Sequence, residues 1–218
     1  MKDGDIHRVI SILRREVKRW QTPIVGVIAD QFEDPFHVLI SCLLSLRTKD
    51  RTTAVASQRI FSLANRPEEM ARLPVKVIEQ AIYPVGFYHT KARTIKRLCR
   101  DLIKRFGGMV PGSLEELLTL QGVGRKTANL VITLGFKKDG ICVDTHVHRI
   151  SNRLGYVQTR RPEETERVLR VKLPRQYWRI FNDLLVHYGQ NLCKPISPFC
   201  SLCKIHECCS RVRVIRSR

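Results

Sequence analysis

Three groups of side chains in this 218-residue sequence have types and spacings that suit chemistry. They are a lysine in LQGVGRKTANLV (120–131), an aspartate in VDTHVHRISNRLG (143–155) and the cysteines of CKPISPFCSLCKIHECC (193–209). Lys126 follows a glycine turn and falls in the first turn of the helix that the apolar spacing predicts next. The positive end of the helix dipole disfavours a protonated amine there, and Arg125 beside it adds like charge. Partial burial would act in the same direction. All three favour the neutral, nucleophilic amine that Schiff-base chemistry requires. A surface lysine contacting phosphate fits the pattern equally well. Asp144 precedes a helical spacing of Val147, Ile150 and Leu154, with Gly155 suited to the C-terminal end. As an N-cap it stabilises the helix by about 1 kcal/mol. A capping carboxylate also stays ionised and fixed, as is needed to stabilise positive charge developing on a sugar.

The cysteines follow the pattern Cys193-x6-Cys200-x2-Cys203-x5-Cys209. Four thiolates this close can hold an iron–sulfur cluster or a zinc ion, and spacing does not choose between them. Cys208 replaces Cys209 if the last interval is x4, and His206 is a conceivable zinc ligand. Lys194, Lys204 and four arginines surround the run, so a metal-stapled basic loop touching a DNA backbone is expected. The GVG turn is a second candidate for phosphate. Gly122 and Gly124 can take positive φ and let another backbone approach, while Val123 and Arg125 complete a short connection between two helices. The N–H groups at the start of the second helix suit an anion, the logic of a helix-hairpin-helix that grips DNA by its backbone. His146 reads as a phosphate contact or a partly buried helix residue; for His148 the second reading is preferred.

The elements that must position these residues read as helices. Ile6, Val9, Ile10 and Leu13 mark one face of an opening helix. Asp34 and Pro35 read as N-cap and first position of PFHVLISCLLSL, and Ser113 with Glu116 as a capping box before LEELLTL. Pro162 with Glu163 and Glu164 opens a helix running through Val168 and Leu169. Alternating segments, ICV at 141–143 and RVRVI near the end, are too short to build a sheet on, so the fold class is all-α.

Composition limits the partner. Against 20 Asp and Glu stand 39 Lys and Arg, a net charge of +19 with a pI near 10.1. Such an excess repels itself unless a polyanion neutralises it, which favours nucleic acid. No apolar run is long enough to cross a bilayer, and the N-terminus lacks a signal-peptide layout, so an intracellular protein with no membrane partner is expected. Cys42, Cys99 and Cys142 are scattered while five of the eight cysteines crowd into 193–209. In a reducing compartment that asymmetry argues for a local metal site rather than disulfides.

Taken together and in order, LLSLRTKD, VGFYHTKA, LQGVGRKTA, VDTHVHRISNRLG and the cysteine spacing resemble the endonuclease III family of helix-hairpin-helix DNA glycosylases, from about Asp34 to Cys209. The resemblance implies two helical domains flanking a DNA-binding cleft. A six-helix barrel would cover 29–140, with the helix-hairpin-helix at about 114–134. Residues 1–28 and 141–218 would form a discontinuous cluster domain with its loop at 193–209. It implies that Lys126 is the catalytic lysine, Asp144 the catalytic aspartate, and Cys193, Cys200, Cys203 and Cys209 the ligands of a [4Fe–4S] cluster. The implied activity is a bifunctional glycosylase and AP lyase. It would remove oxidised pyrimidines from duplex DNA and cut 3′ to the abasic site by β-elimination through a lysine Schiff base. The implied partner is double-stranded DNA with a damaged base or abasic site. A monomer is expected, in cytoplasm or nucleoid if the source is prokaryotic.

Three positions depart from the family pattern and one residue marks the lesion pocket. Arg47 stands where a glutamine usually fills the gap left by the flipped base; it can still pair with the orphaned base. Phe87 matches a leucine wedge, and an aromatic can insert at a kink. Gln121 replaces a proline of the hairpin. Ser45 matches a polar residue at the lesion pocket. Arg47 keeps open a thymine or uracil mismatch glycosylase of the same superfamily, although such enzymes usually lack the lysine. A non-catalytic, metal-stapled DNA-binding protein explains the charge, the turn and the cysteines, but not the match of both Lys126 and Asp144.

Overall fold

The computed structural model describes all residues from Met1 to Arg218. Its regular elements are all helical. In order they are α1 (Asp5–Glu16), α2 (Ile24–Phe32), α3 (Pro35–Ser45), α4 (Asp50–Leu63), α5 (Pro67–Arg72) and α6 (Val75–Ile82). There follow α7 (Tyr88–Phe106), α8 (Leu114–Leu118), α9 (Arg125–Leu130), α10 (Thr145–Arg153), α11 (Pro162–Lys172) and α12 (Trp178–Asn191). No strand forms, and both alternating segments are irregular. The chain divides into two compact units, Ile24–Lys138 and the pair Met1–Pro23 with Asp139–Arg218.

The unit 24–138 is organised around α3, which is buried from Phe36 to Leu44 and packed by α2, α4, α7 and α9. A helix apolar all round needs such a position. Its start is fixed locally. Asp34 accepts the His37 N–H at 3.1 Å and pairs with His37 Nδ1 at 2.6 Å, with Pro35 at the first position. The long α7 buries Ala92, Ile95, Leu98, Cys99 and Leu102, a spacing that turns its many basic residues away from the core. At α8, Ser113 accepts the Glu116 N–H at 3.2 Å, and its hydroxyl donates to the Glu116 carboxylate at 2.7 Å. The glutamate therefore closes on the hydroxyl, where a capping box would reach the backbone N–H.

The other unit joins α1 to the second half of the chain. Ile6, Val9, Ile10 and Leu13 are fully buried, and α1 packs on α12. At about 1.5–3 kcal/mol per side chain, this apolar face is sufficient reason for the N-terminal helix to return to residues far along the chain. Val147, Ile150 and Leu154, Leu169 of α11, and Phe181 and Leu185 of α12 complete the core. Val168 faces outward while Leu169 is buried.

Candidate active site and cysteine cavity

In the unit 24–138, α8 and α9 are joined by the GVG turn. Gly122 has φ of +84°, and a Cβ there would lie 2.5 Å from Thr94 Cγ2 of α7. Conformation and space both demand glycine. Gly124 differs from expectation: its φ is −92°, in extended backbone, and a Cβ would meet nothing within 4 Å. Positive φ is thus required once, at Gly122, because the turn has already reversed when the chain reaches the N-cap of α9. Val123 is buried beneath the turn and donates its N–H to Leu120 O at 3.1 Å.

No side chain caps α9, whose first two positions are Arg125 and Lys126. Both are exposed, so burial adds nothing at Lys126; the buried side of α9 is formed by Thr127, Ala128 and Asn129. Asn129 donates to Arg125 O at 3.1 Å and holds the first turn. Lys126 stands near Cys42 of α3. Burial pushes the Cys42 thiol up to about 12, and the Lys126 charge works against that rise. One turn further along α3, Ser45 is half-buried, and its hydroxyl donates to Cys42 O at 2.9 Å.

Arg47 and Phe87 lie in two different loops of the same unit, and both take left-handed backbone, with φ of +53° and +59°. Phe87 is 63% exposed, and the Arg47 guanidinium sits 5.5 Å from the centre of its ring. An exposed aromatic held in a conformation uncommon for a bulky residue is not core packing.

In the other unit Asp144 is 8% exposed and caps α10, its Oδ1 accepting the N–H groups of His146 and Val147, each at 2.9 Å. Gly155, with φ of +71°, follows the end of the helix. His146 is half-buried with Nδ1 3.1 Å from Arg149 Nη2, and His148 pairs with Thr165 Oγ1 at 2.7 Å. Lys194 donates its ammonium to Gln190 O.

Cys193, Cys200, Cys203 and Cys209 line one cavity in this unit, closed on other sides by Arg153 and Tyr188 among others. All four are free thiols. Cys208 is also buried but does not line the cavity, so Cys209 joins the other three; His206 is exposed beside Glu207, which pairs with Arg8. Burial raises the Cys203 thiol and pushes Cys209 up to about 11, with the neighbouring thiols adding to both shifts. Sulfurs that oppose one another's ionisation are the donor set that a positively charged metal group neutralises. Arg153 donates to Cys193 Sγ at 3.3 Å, to Lys194 O at 2.7 Å and to Pro195 O at 2.7 Å, and the Tyr188 hydroxyl donates to Cys203 Sγ at 3.3 Å. No three His, Cys, Asp or Glu side chains converge closely enough to hold a single metal ion.

Sequence reasoning did not find Arg153 and Tyr188, which lie 40 and 15 positions from the sulfurs they meet. Nor did it find Lys91, whose ammonium reaches Leu44 O, Leu46 O and Thr48 Oγ1. The lysine of VGFYHTKA is one of many basic residues in that stretch, and its acceptors are distant in sequence.

Comparison with known proteins identifies the family of the chain. Residues 40–175 match the HhH-GPD superfamily of base excision DNA repair proteins. Endonuclease III of Thermotoga maritima is 48% identical over 180 residues, covering 83% of this chain and 84% of that protein. Endonuclease III homolog 2, chloroplastic, of Arabidopsis thaliana is 39% identical, covering 93% of this chain but only 56% of its own length. A solved structure of a trapped endonuclease III–DNA covalent intermediate, an estranged-adenine complex, superposes with a TM-score of 0.86 and 32% identity over 97% of both chains. The chain therefore belongs to the HhH-GPD superfamily of base excision DNA repair proteins and, within it, to the endonuclease III family.

Proposed function

We propose that this chain removes oxidised pyrimidines from duplex DNA and then cuts the strand 3′ to the abasic site, with Lys126 as nucleophile and Asp144 as its charged assistant. The class is that of the family, a base excision repair DNA glycosylase and AP lyase. One observation carries the reading of mechanism: an exposed lysine in the first turn of α9, directly after the glycine turn, in a chain that superposes on a covalent endonuclease III–DNA intermediate. The turn and the N-terminal end of α9 hold the DNA backbone beside the lesion. The damaged nucleotide leaves the stack so that its sugar becomes reachable. Once it has given up its proton, the Lys126 amine attacks C1′, and the bond to the base breaks with its electrons going to the base. Asp144 offsets the positive charge on the sugar and assists proton transfer to or from the amine. The sugar ring opens to a Schiff base, which acidifies the C2′ proton. Loss of that proton expels the 3′ phosphate by β-elimination, and water releases Lys126.

Arg47 fills the gap left by the flipped base and meets the orphaned partner, while Phe87 wedges at the kink. Ser45 lies at the lesion pocket, and His146 and Lys194 approach phosphates. The unit 24–138 serves as the barrel domain and the other as the cluster domain of a monomer. The four cavity thiols fit a [4Fe–4S] cluster; Cys193, Cys200, Cys203 and Cys209 would hold it, and it would cross-link the 193–209 loop. No helix is long and apolar enough to cross a membrane.

The test is borohydride trapping on duplex DNA containing thymine glycol, with uracil opposite guanine in parallel. A covalent adduct on thymine glycol that disappears in Lys126→Gln, with DNA binding retained, is expected. An adduct on the mismatch alone moves the substrate to the mismatch class. Binding without an adduct on either leaves a scaffold and removes the mechanism.

A further inference from the structure

We propose that Lys91 is a positioning residue that locks the Arg47 loop and the Phe87 loop into a single preassembled probe of the base stack. The inference rests on the reading above, in which those two side chains enter the duplex.

The two loops are forty residues apart in sequence, and each places its functional side chain by a left-handed residue. Lys91, in the first turn of α7, ties the Phe87 loop to the Arg47 loop with all three of its hydrogens. Its Nζ donates to Leu44 O at 2.8 Å and Leu46 O at 2.6 Å, carbonyls at the C-terminal end of α3, and to Thr48 Oγ1 at 3.2 Å. An ammonium has three donors and no acceptor, so this set satisfies it completely. A cation at the carbonyl end of a helix is also favoured by the dipole.

The same Thr48 hydroxyl accepts the Gly86 N–H at 3.2 Å, and the hydroxyl itself is tied to Leu46 O at 3.2 Å. Gly86 sits so close that a Cβ would lie 2.7 Å from Arg47 O. Lysine, threonine and glycine thus bring one loop against the other, and the Arg47 guanidinium comes to rest over the Phe87 ring. Burial lowers the Lys91 ammonium to about 8, so at neutral pH it still carries the proton that completes the set. A probe held in this shape before binding does not have to order two loops while it unstacks DNA, which is where preorganisation raises rate and affinity.

Lys91→Met keeps the aliphatic stem and removes the donors. Two substrates separate positioning from folding. One is a duplex with thymine glycol opposite adenine. The other is a single-stranded oligonucleotide with an abasic site, where no partner base or stacked neighbour is displaced. Base release from the duplex should fall tenfold or more in the variant, while β-elimination on the single strand stays within twofold of wild type. Equal loss on both substrates, or loss on neither, overturns the proposal. If Lys91→Met loses its cooperative melt, Gly86→Ala, which parts the loops from the other side, is expected to give the same split and carries the test. If the wild-type protein fails on thymine glycol but cuts the single strand, the substrate reading has failed separately. The clamp is then scored with 2-aminopurine opposite a tetrahydrofuran abasic analogue. Binding of the wild type should change its fluorescence, binding of Lys91→Met should change it several-fold less, and equal changes overturn the clamp.

Discussion

Replacing Asp144 separates a helix cap from a catalytic carboxylate, because asparagine keeps the first role and loses the second. In the structure one oxygen, Oδ1, accepts both the His146 and the Val147 N–H at 2.9 Å, in a residue only 8% exposed. Removing a cap costs about 0.5–2 kcal/mol, and burial with two charge-assisted bonds places Asp144→Ala near the upper end, about 2 kcal/mol. For a chain of this size that lowers the melting temperature by about 4–8 °C. Asp144→Asn retains an acceptor oxygen and loses only the charge at the helix N-terminus, about 0.3–1 kcal/mol, or roughly 1–4 °C. Both variants lack the negative charge that offsets the oxocarbenium-like sugar, and each should slow adduct formation by about 10²–10³-fold. Thermal melting and borohydride trapping on the same preparations measure the two effects side by side. Asp144→Asn that melts close to wild type yet traps poorly supports the dual role. Asp144→Asn that traps at the wild-type rate refutes it and leaves Asp144 a cap alone.

Two further outcomes follow from the unit 24–138. Gly122→Ala meets both a φ of +84° and a 2.5 Å approach of Thr94 Cγ2, so it should destabilise by about 1–3 kcal/mol in urea unfolding. Adding Thr94→Ala should return part of that loss by removing the clash while leaving the strained φ, and no recovery would contradict the assignment of Thr94. At Asp34, burial opposes ionisation, but the hydrogen bonds and charge of His37 outweigh it and hold the carboxyl below its ordinary 3.8. A carboxylate lowered in the folded state adds stability above the unfolded value and loses it as pH falls through the folded value. The stability advantage of wild type over Asp34→Asn should therefore shrink as the pH falls below about 4, and a gap unchanged between pH 5 and pH 2 would contradict it.

The features legible in the sequence are those decided within a few residues. Asp34 with Pro35, Ser113 with Glu116, and Asp144 before Val147 are caps whose partners lie three positions away or fewer. The apolar face of α1 could be read from spacing, because burial on one side of a helix leaves that imprint. What escaped depends on distance or on backbone detail. The φ of Gly124 could not be read from a GVG turn, since glycine permits both signs and only the path of the chain chooses. Spacing leaves the burial of Lys126 open; the core side of α9 begins at Thr127 and leaves the lysine exposed. Spacing left Cys208 and Cys209 as alternatives, and only the packing that turns Cys208 away from the cavity distinguishes them. Lys91 was hidden among the basic residues of α7, because its acceptors lie more than forty residues earlier.

In the proposed mechanism Lys126 forms the covalent bond to the sugar. Its most direct test is peptide mapping of the borohydride-reduced adduct on thymine glycol duplex, after nuclease and protease digestion. A single modified residue, Lys126, with the remaining sugar fragment on its Nζ, is expected. A modification on Lys91, on the Met1 amine or on any other lysine would contradict it.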